Sequence, residues 1–312
     1  MNNIYDVLVV GGGAAGLSAA LVLSRARRDV VIVDAGHPRN APAAHMQGFL
    51  SRDGMPPAEL LETGRQEVTG YGATILDGTV RELVRCTDSA FQALLSDGQR
   101  LRARRVLVTT GLHDELPDIP GLAGRWARDV LHCPYCHGWE VRDQPLGVLW
   151  HGPDTVRYAH IVRQWTHDLV LFAPEGVLTA QDRSQLVARA IGVVEGDVDG
   201  LVVKDDALHG VAMTDGRVIP RQAVFVPPRF TPLSDLLAGV GCDLDEHGWV
   251  TAGANGATTV PGLWVAGNVN NPRAQVITAA GEGSAAAIAI NNDLVDADIR
   301  AAVDLFNQGY VP

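Results

Sequence analysis

Two cysteines lie three residues apart in the segment HCPYCHGWE, residues 132–140. If a helix begins there, Cys133 and Cys136 face the same side, close enough for a disulfide, and the helix N-terminus lowers the thiol pKa. His137 follows directly and can accept or donate a proton near neutral pH. The pattern predicts redox catalysis by Cys133 and Cys136 with His137 as the base, and His132 on the other flank is the alternative base.

This motif has three other interpretations. C-x-x-C-H is also the attachment signature of c-type haem, but that needs an exported chain, and the N-terminus MNNIYDVLVVGGG has no basic region or cleavage site. A zinc site needs two further ligands with separate reach, so no metal is predicted. Plain structural cysteines remain an alternative. Cys86 and Cys242 lie in or beside apolar strand-like segments and are expected to be buried thiols without function.

A second motif, G-x-G-x-x-G, is formed by Gly11, Gly13 and Gly16 in the loop GGGAAG. It follows the strand-like run IYDVLVV, opens the helical run LSAALVLSRARR, and precedes the strand-like run DVVIVD, which ends at Asp34. The glycines permit a tight turn, close approach of a pyrophosphate and close helix packing, and an acid at the end of the second strand can bind a ribose. The segment predicts a dinucleotide site.

A second β-α-β unit begins near residue 146, as LGVLW, DTVRYAHIVRQWT and DLVLFA. His151 and Pro153 occupy the places of the first two fingerprint glycines, and Pro174 and Glu175 follow the next strand where an arginine pair could hold a 2′-phosphate. A histidine ring hinders close backbone approach, and proline removes an N–H group. We expect a retained fold with a degraded nicotinamide site; an unusual site that still binds a nicotinamide is the alternative.

The chain of 312 residues is about twice the usual single-domain length. Each β-α-β unit is followed by an antiparallel pair around an Asp-Gly turn, and the late segment GLWVAGNVNNPRAQVITAAGEGSAAAIAINN returns to a strand and a Gly-rich entry into a long helix. The predicted fold is α/β, with two Rossmann-like, three-layer ββα dinucleotide-binding domains, the second inserted in the first. The expected domains are residues 1–112 and 234–312 for the first and 113–233 for the second, which carries C-x-x-C.

The amino-acid composition excludes some classes of binding partner. Hydrophobic residues make up 46% and charged residues 20%, which excludes extended disorder, and the net charge of -11 disfavours nucleic acid and anionic membrane surfaces. No apolar stretch approaches the roughly 20 residues of a membrane span. A cytoplasmic protein without nucleic-acid or membrane partners is expected.

The GGGAAG loop, the C-x-x-C and the late AGN-x(6)-QVITAAGEG segment together resemble the low-molecular-weight thioredoxin reductase family, over essentially the whole chain. The resemblance implies a homodimer and places Cys136 against a flavin. Two departures are plain: His137 stands where the family's reductases have Asp, and Asn268 replaces the usual Asp of the late motif. The resemblance also implies FAD, bound by Gly11, Gly13, Ala14, Ala15, Gly16, Asp34, Gly267, Asn268, Gln275 and Val276.

CPYCHGWE, the lost nicotinamide fingerprint and HPRNAPAAHMQGFLSRDG after Asp34 are more similar to the dithiol oxidases of holomycin and gliotoxin biosynthesis. This implies an FAD-dependent oxidase that closes a small-molecule dithiol into a disulfide through Cys133 and Cys136 and passes the electrons to O2, giving H2O2. Two alternatives stay open. One is a thioredoxin-reductase-like disulfide reductase fed by NADPH, ferredoxin or another donor; the other is a flavin-binding redox sensor without turnover.

Overall fold

The structure is a computed structural model that describes residues 4–308. The chain divides into two compact units. Unit 1 takes the residues up to Ala41, Met55–His113 and those from Phe230 onward, and unit 2 takes Pro42–Gly54 and Asp114–Arg229. The chain passes from unit 1 to unit 2 between residues 113 and 114 and returns between residues 229 and 230. The expected boundaries were 112/113 and 233/234. The grouping of residues 42–54 with unit 2 departs from the expected domains, which assigned them to the first.

Unit 1 is built on a seven-stranded sheet in the order β3-β2-β1-β6-β5-β4, with β17 also pairing with β6. β1, β2, β3 and β17 join it in parallel, and β4 and β5 are antiparallel. The strands are β1 (Ile4–Val10), β2 (Val30–Asp34), β3 (Thr74–Asp77), β4 (Val80–Arg85), β5 (Phe91–Leu95), β6 (Arg100–Val108) and β17 (Leu263–Val265).

Four helices accompany this sheet: α1 (Ala14–Arg25), α2 (Pro57–Gly70), α6 (Asp235–Gly239) and α7 (Val276–Asn307). β1 and β2 are apolar runs, and Val7–Val10 and Val30–Val33 are buried on both sides of the sheet, as expected of central parallel strands. One cluster of buried side chains joins the sheet to α1 and α7, and a second fills the opposite face. The first β-α-β unit is therefore as the sequence predicts.

Unit 2 has a five-stranded parallel sheet in the order β11-β10-β9-β15-β8 and a separate antiparallel sheet in the order β12-β13-β14. Its strands are β8 (Val130–Leu131), β9 (Leu146–Leu149), β10 (Leu169–Ala173), β11 (Gly192–Glu195), β12 (Val198–Lys204), β13 (Ala207–Met213), β14 (Val218–Pro220) and β15 (Ala223–Phe225). Its helices are α3 (Pro134–His137), α4 (Thr155–Val162) and α5 (Ala180–Ala188). β7 (Leu112–Glu115) pairs with β16 (Arg229–Pro232) where the chain crosses between the units.

Both Asp-Gly turns predicted from the sequence join antiparallel strands, β5 to β6 and β13 to β14. The expected helix at the cysteines is present but consists of only four residues. A helix of one turn has a small dipole, so its N-terminus stabilises a thiolate only weakly. No helix within residues 4–308 is both long enough and apolar enough to cross a bilayer.

Candidate functional site

The glycine loop of unit 1 connects β1 to α1 in the way the fingerprint requires. Gly11 has φ of +106°, and a Cβ there would lie 2.6 Å from the carbonyl oxygen of Thr109. A Cβ on Gly16 would lie 1.9 Å from the carbonyl oxygen of Gly11. The Thr109 hydroxyl donates to the carbonyl oxygens of Val10 and Gly11, at 3.0 and 2.9 Å. Gly11 and Gly16 are thus required by the protein's own packing.

Gly13 has a different reason to be glycine. It is the N-cap of α1 with an ordinary φ of -77°, and a Cβ there would meet no atom within 4 Å. No side chain of the described residues caps the first N–H groups of α1, which begins with Ala14 and Ala15. N–H groups that lack a partner, and that lie beside space which no side chain fills, can bind a phosphate. This loop therefore fits the pyrophosphate of a dinucleotide.

Asp34 ends β2 and accepts two hydrogen bonds. Its Oδ1 accepts the N–H of Gly12 at 3.1 Å, and its Oδ2 accepts from the guanidinium of Arg65 on α2. The Gly12 bond ties the acid to the glycine loop. Each carboxylate oxygen keeps a further lone pair, so Asp34 can still accept from a ribose hydroxyl as predicted.

The late segment is held by its own hydrogen bonds. The N–H of Gly267 donates to Oε2 of Glu282 at 2.9 Å, and the Asn268 amide donates to the carbonyl oxygens of Asn271 and Ala274 at 2.9 and 3.0 Å. Oδ1 of Asn268 accepts from Nη1 of Arg39 at 3.2 Å. An amide can donate and accept at once, so Asn268 performs both roles where a carboxylate could only accept.

Helices α1 and α7 bring the two predicted cofactor segments together. A Cβ on Gly283 of α7 would lie 2.0 Å from the carbonyl oxygen of Ala15, and one on Gly267 would lie 3.1 Å from the Ala15 Cβ. Gln275 is the N-cap of α7 and Val276 its first residue, and within residues 4–308 no side chain caps this helix either. The predicted residues of unit 1 thus converge on two adjacent helices with open N-termini. This arrangement fits FAD.

In unit 2, Cys133 and Cys136 form a disulfide with a Cα–Cα distance of 5.2 Å. Cys133 is the N-cap of α3, and its carbonyl oxygen accepts the N–H groups of Cys136 and His137, both at 3.1 Å. Both cysteines are partly exposed. The helical turn thus places the two sulfur atoms on one side, as the spacing predicts, and leaves them accessible to a thiol.

Aromatic side chains surround this turn. Gly138 packs so closely on Trp165 that a Cβ would lie 2.7 Å from the indole, and Tyr135 meets Trp165 edge to face at 5.6 Å. Tyr135 and Trp139 are 64% and 65% exposed, and the guanidinium of Arg142 lies 3.9 Å from the centre of the Trp139 ring. The surface beside the disulfide therefore carries exposed aromatic rings, one of them covered by a guanidinium group.

His137 is half-buried at the end of α3. Burial lowers its pKa, and the negative charge of Glu140 opposes that shift. A lowered pKa keeps the imidazole neutral at neutral pH, which is the state that accepts a proton. His132, the alternative base, stacks on Trp126 with ring centres 5.4 Å apart.

In the loop of residues 150–154, where a nicotinamide fingerprint would lie, polar groups form hydrogen bonds within the protein itself. Nδ1 of His151 lies 3.0 Å from the carbonyl oxygen of Pro227, and the N–H of His151 donates to the Thr155 hydroxyl at 3.1 Å. The N–H of Thr155 in turn donates to the carbonyl oxygen of Gly152 at 3.0 Å. Two of the N–H groups that a phosphate would need are thereby already satisfied.

Cys86 and Cys242 are free cysteines. Cys242 is buried in the core of unit 1 as expected, and burial raises its pKa. Cys86 is only half-buried, so the expected burial is wrong for this residue. In the part of the chain that the structure describes, no group of three His, Cys, Asp or Glu residues could hold a metal ion.

Several residues that shape these sites were not predicted: Thr109, Arg65, Arg39 and Glu282 in unit 1, and Trp126, Glu140, Tyr158 and Trp165 in unit 2. Glu282 had a sequence signal, because it lies in the AAGEG run that opens α7 beside the late motif. Glu140 lies within the segment HCPYCHGWE, three residues after His137. The others are separated in the sequence from the motif residues that they contact, and no local pattern marks them.

Comparison with known proteins identifies the family. The model of the family "Pyridine nucleotide-disulphide oxidoreductase" matches residues 5–162. The crystal structure of HlmI is 54% identical, with a TM-score of 0.95 over 98% of this chain and 97% of that chain. The putative thioredoxin reductase TrxB from Bacillus anthracis is 31% identical, with a TM-score of 0.90 over 94% of this chain and 99% of that one.

Among curated proteins, thioredoxin reductase aclD of Aspergillus oryzae is 29% identical over 307 residues, which cover 93% of this chain and 96% of that protein. These findings confirm the predicted fold class, the thioredoxin reductase-like character and FAD as the cofactor. The chain is an FAD-binding oxidoreductase and belongs to the pyridine nucleotide-disulphide oxidoreductase family.

Proposed function

We propose that this enzyme is a dithiol oxidase: it converts a small-molecule dithiol and O2 into the cyclic disulfide and H2O2. The observation that carries the proposal is the internally hydrogen-bonded loop at His151, because the N–H groups of His151 and Thr155, which could bind a nicotinamide phosphate, are already paired. Without hydride from a nicotinamide, electrons enter from a thiol at the Cys133–Cys136 disulfide. The similarity to dithiol oxidases in the segment CPYCHGWE also supports electron flow from a thiol substrate to the enzyme.

The exchange takes place at the Cys133 sulfur. One substrate thiolate attacks it, the Cys133–Cys136 bond breaks, and Cys136 leaves as a thiolate. The second substrate thiolate then attacks the substrate sulfur of this mixed disulfide and releases Cys133. The product carries one new S–S bond, and the enzyme keeps two electrons and two protons as a dithiol.

His137 generates the attacking thiolate. A free thiol has a pKa of about 8.5, so only a small fraction is ionised at neutral pH. The neutral imidazole of His137 accepts the substrate proton, and burial favours that neutral state. Glu140 limits the shift and keeps the base strong enough to hold the proton.

Gly11, Gly13 and Gly16, with the open N-terminus of α1, bind the FAD pyrophosphate, and Asp34 binds the ribose. Gly267, Asn268 and the N-terminus of α7 hold the remainder of the cofactor. When bound, FAD supplies the acceptor for the electron pair of the dithiol and its transfer to O2.

Oxygen consumption tests the proposal. Purified enzyme is mixed with a model dithiol such as dithiothreitol, and O2 uptake and H2O2 are measured together. We expect equal amounts of both from wild type and none from Cys133→Ser, with Cys86→Ser as the matched control that behaves as wild type. Absence of O2 uptake with a series of small dithiols contradicts the proposal and leaves a disulfide reductase or a redox sensor.

The curated name of aclD makes a disulfide reductase the second candidate. The direction of electron flow distinguishes this reductase from the oxidase. Bleaching of the flavin by NADPH or by chemically reduced ferredoxin, followed by reduction of a disulfide substrate, would establish it.

We further propose that the enzyme acts as a homodimer. Ile288, Val295, Ile299 and Phe306 of α7 are exposed by 41 to 63% and follow one another at seven, four and seven residues. This spacing puts them on one face of the helix. A second copy that lays the same face against it covers all four side chains on both chains.

A further inference from the structure

The peptide bond that enters Cys133 is held by a side chain from another element. The hydroxyl of Tyr158, on α4, donates a hydrogen bond to the carbonyl oxygen of His132. Burial raises the pKa of Tyr158, so the phenol stays protonated and remains a donor at any pH at which the enzyme works. Tyr158 therefore fixes the backbone one residue before the exchange cysteine.

Helix α3 cannot fix that backbone by itself. It is a single turn of four residues, and one turn of helix is unstable in isolation. While the disulfide is closed, the S–S bond itself restrains the turn. Once the bond opens, the position of Cys133 depends on contacts made by its neighbours.

Those contacts lie on both sides of the turn. On the exit side, Gly138 packs on Trp165. On the entry side, the His132 ring stacks on Trp126, and the His132 carbonyl oxygen receives the Tyr158 hydroxyl. Of these two contacts of His132, the hydrogen bond is the one that acts on the Cys133 peptide, and it does not involve either sulfur atom. One residue earlier, the Leu131 carbonyl oxygen accepts the N–H of Val226 at 2.8 Å, so Tyr158 extends the backbone restraint from β8 to the cysteine itself.

We propose that Tyr158 is a positioning residue that keeps Cys133 within reach of Cys136 when the pair is reduced, and so sets the ease with which the disulfide closes. The inference deepens the proposed function, which needs this pair to cycle between dithiol and disulfide. Tyr158 acts through the His132 carbonyl and takes no part in proton or electron transfer.

Two thiols held close by the protein react as if one were at a high local concentration. A looser entry strand lowers that effective concentration, so the disulfide becomes easier to reduce and its reduction potential rises. Removing the hydroxyl leaves the His132 carbonyl oxygen without this donor. We expect Tyr158→Phe to shift the equilibrium toward the dithiol by about three- to tenfold, and tenfold corresponds to about 30 mV for a two-electron couple.

The test is an anaerobic redox titration of the FAD-loaded enzyme in buffers of reduced and oxidised dithiothreitol. Samples are quenched in acid, and the thiols of Cys133 and Cys136 are counted by a mass-adding maleimide above the constant contribution of Cys86 and Cys242. Tyr158→Phe is compared with Tyr5→Phe, which removes a phenol hydroxyl from unit 1. The expected result is a raised potential for Tyr158→Phe and a wild-type value for Tyr5→Phe.

A potential equal to wild type in Tyr158→Phe, even with a lower melting temperature, overturns the inference, because a merely structural tyrosine changes stability alone. If Tyr158→Phe does not fold, the same titration is carried out with 3-fluorotyrosine at position 158. Its hydroxyl is a stronger donor in the same place, so the potential must fall below that of wild type, and an unchanged value overturns the inference.

The titration contains no oxygen, which separates this inference from the proposed function. A shifted potential in an enzyme that takes up no O2 with dithiols refutes the oxidase and leaves the role of Tyr158 standing. An active oxidase whose potential is indifferent to Tyr158→Phe refutes the role of Tyr158 alone.

Discussion

Nδ1 of His151 lies 3.0 Å from the carbonyl oxygen of Pro227, across the turn where a nicotinamide phosphate would sit. Because a carbonyl oxygen only accepts, Nδ1 is the donor in this contact. This contact ties the turn to the segment after β15. The neighbouring N–H group of His151 is satisfied by Thr155.

We therefore expect that neither NADPH nor NADH reduces the flavin at a useful rate. The measurement is anaerobic stopped-flow mixing with the flavin absorbance as readout, and dithionite shows that the same flavin can be bleached. Complete bleaching within seconds at submillimolar NADPH would restore the reductase interpretation.

The cofactor loop gives a second prediction. A Cβ on Gly13 meets no protein atom, so Gly13→Val folds but places its side chain where the pyrophosphate must approach. We expect the variant to be purified without its yellow colour, while Gly70→Val, at another open position in unit 1, keeps one FAD per chain. The visible absorbance of the flavin measures the bound cofactor, and a thermal melt without added FAD measures the stability of both variants. A Gly13→Val protein that keeps full FAD would refute the assignment of this loop.

Short sequence patterns were enough to predict the sites whose residues lie close together in the sequence. The glycine turn, the strand ending at Asp34 and the disulfide between Cys133 and Cys136 each follow from the spacing of residues within one short segment. The fold class follows as well, because an apolar run, a turn and a helical run occur twice in the same order.

What the sequence could not provide are the partners of polar groups across long separations. Arg65 reaches Asp34 from 31 residues away, and Tyr158 reaches the His132 carbonyl from 26 residues away. No periodicity marks such pairs, because each depends on where two elements meet in space. The grouping of residues 42–54 with unit 2 was missed for the same reason.

The third prediction concerns the exposed face of α7. An aspartate at Ile299, in the middle of the apolar stripe, places a charge in the interface that we propose. We expect wild type to elute and scatter light as a dimer and Ile299→Asp as a monomer or a strongly weakened dimer. Val187→Asp is the matched control, since Val187 is 74% exposed on α5 of unit 2. A wild-type monomer at micromolar concentration, or an unaffected Ile299→Asp dimer, would remove this face as the interface.

The last prediction concerns the base. Burial lowers the pKa of His137, so the imidazole loses its proton below the ordinary value of about 6.5 and is ready to accept one throughout the neutral range. The acid limb of kcat/KM for a dithiol should therefore lie below pH 6.5 in wild type. Glu140 raises this pKa, so Glu140→Gln should move the limb to still lower pH without abolishing turnover.

His137→Ala should keep FAD and lose roughly 10²-fold in turnover at neutral pH, the ordinary contribution of a general base. Part of the loss returns as the pH approaches about 8.5, where substrate thiols ionise unaided. His209→Ala, an exposed histidine of unit 2, is the control and keeps wild-type rates. If His137→Ala turns over like wild type from low to high pH, the base is another group, and His132 on Trp126 becomes the residue to replace, because it is the remaining imidazole beside the disulfide in the described chain.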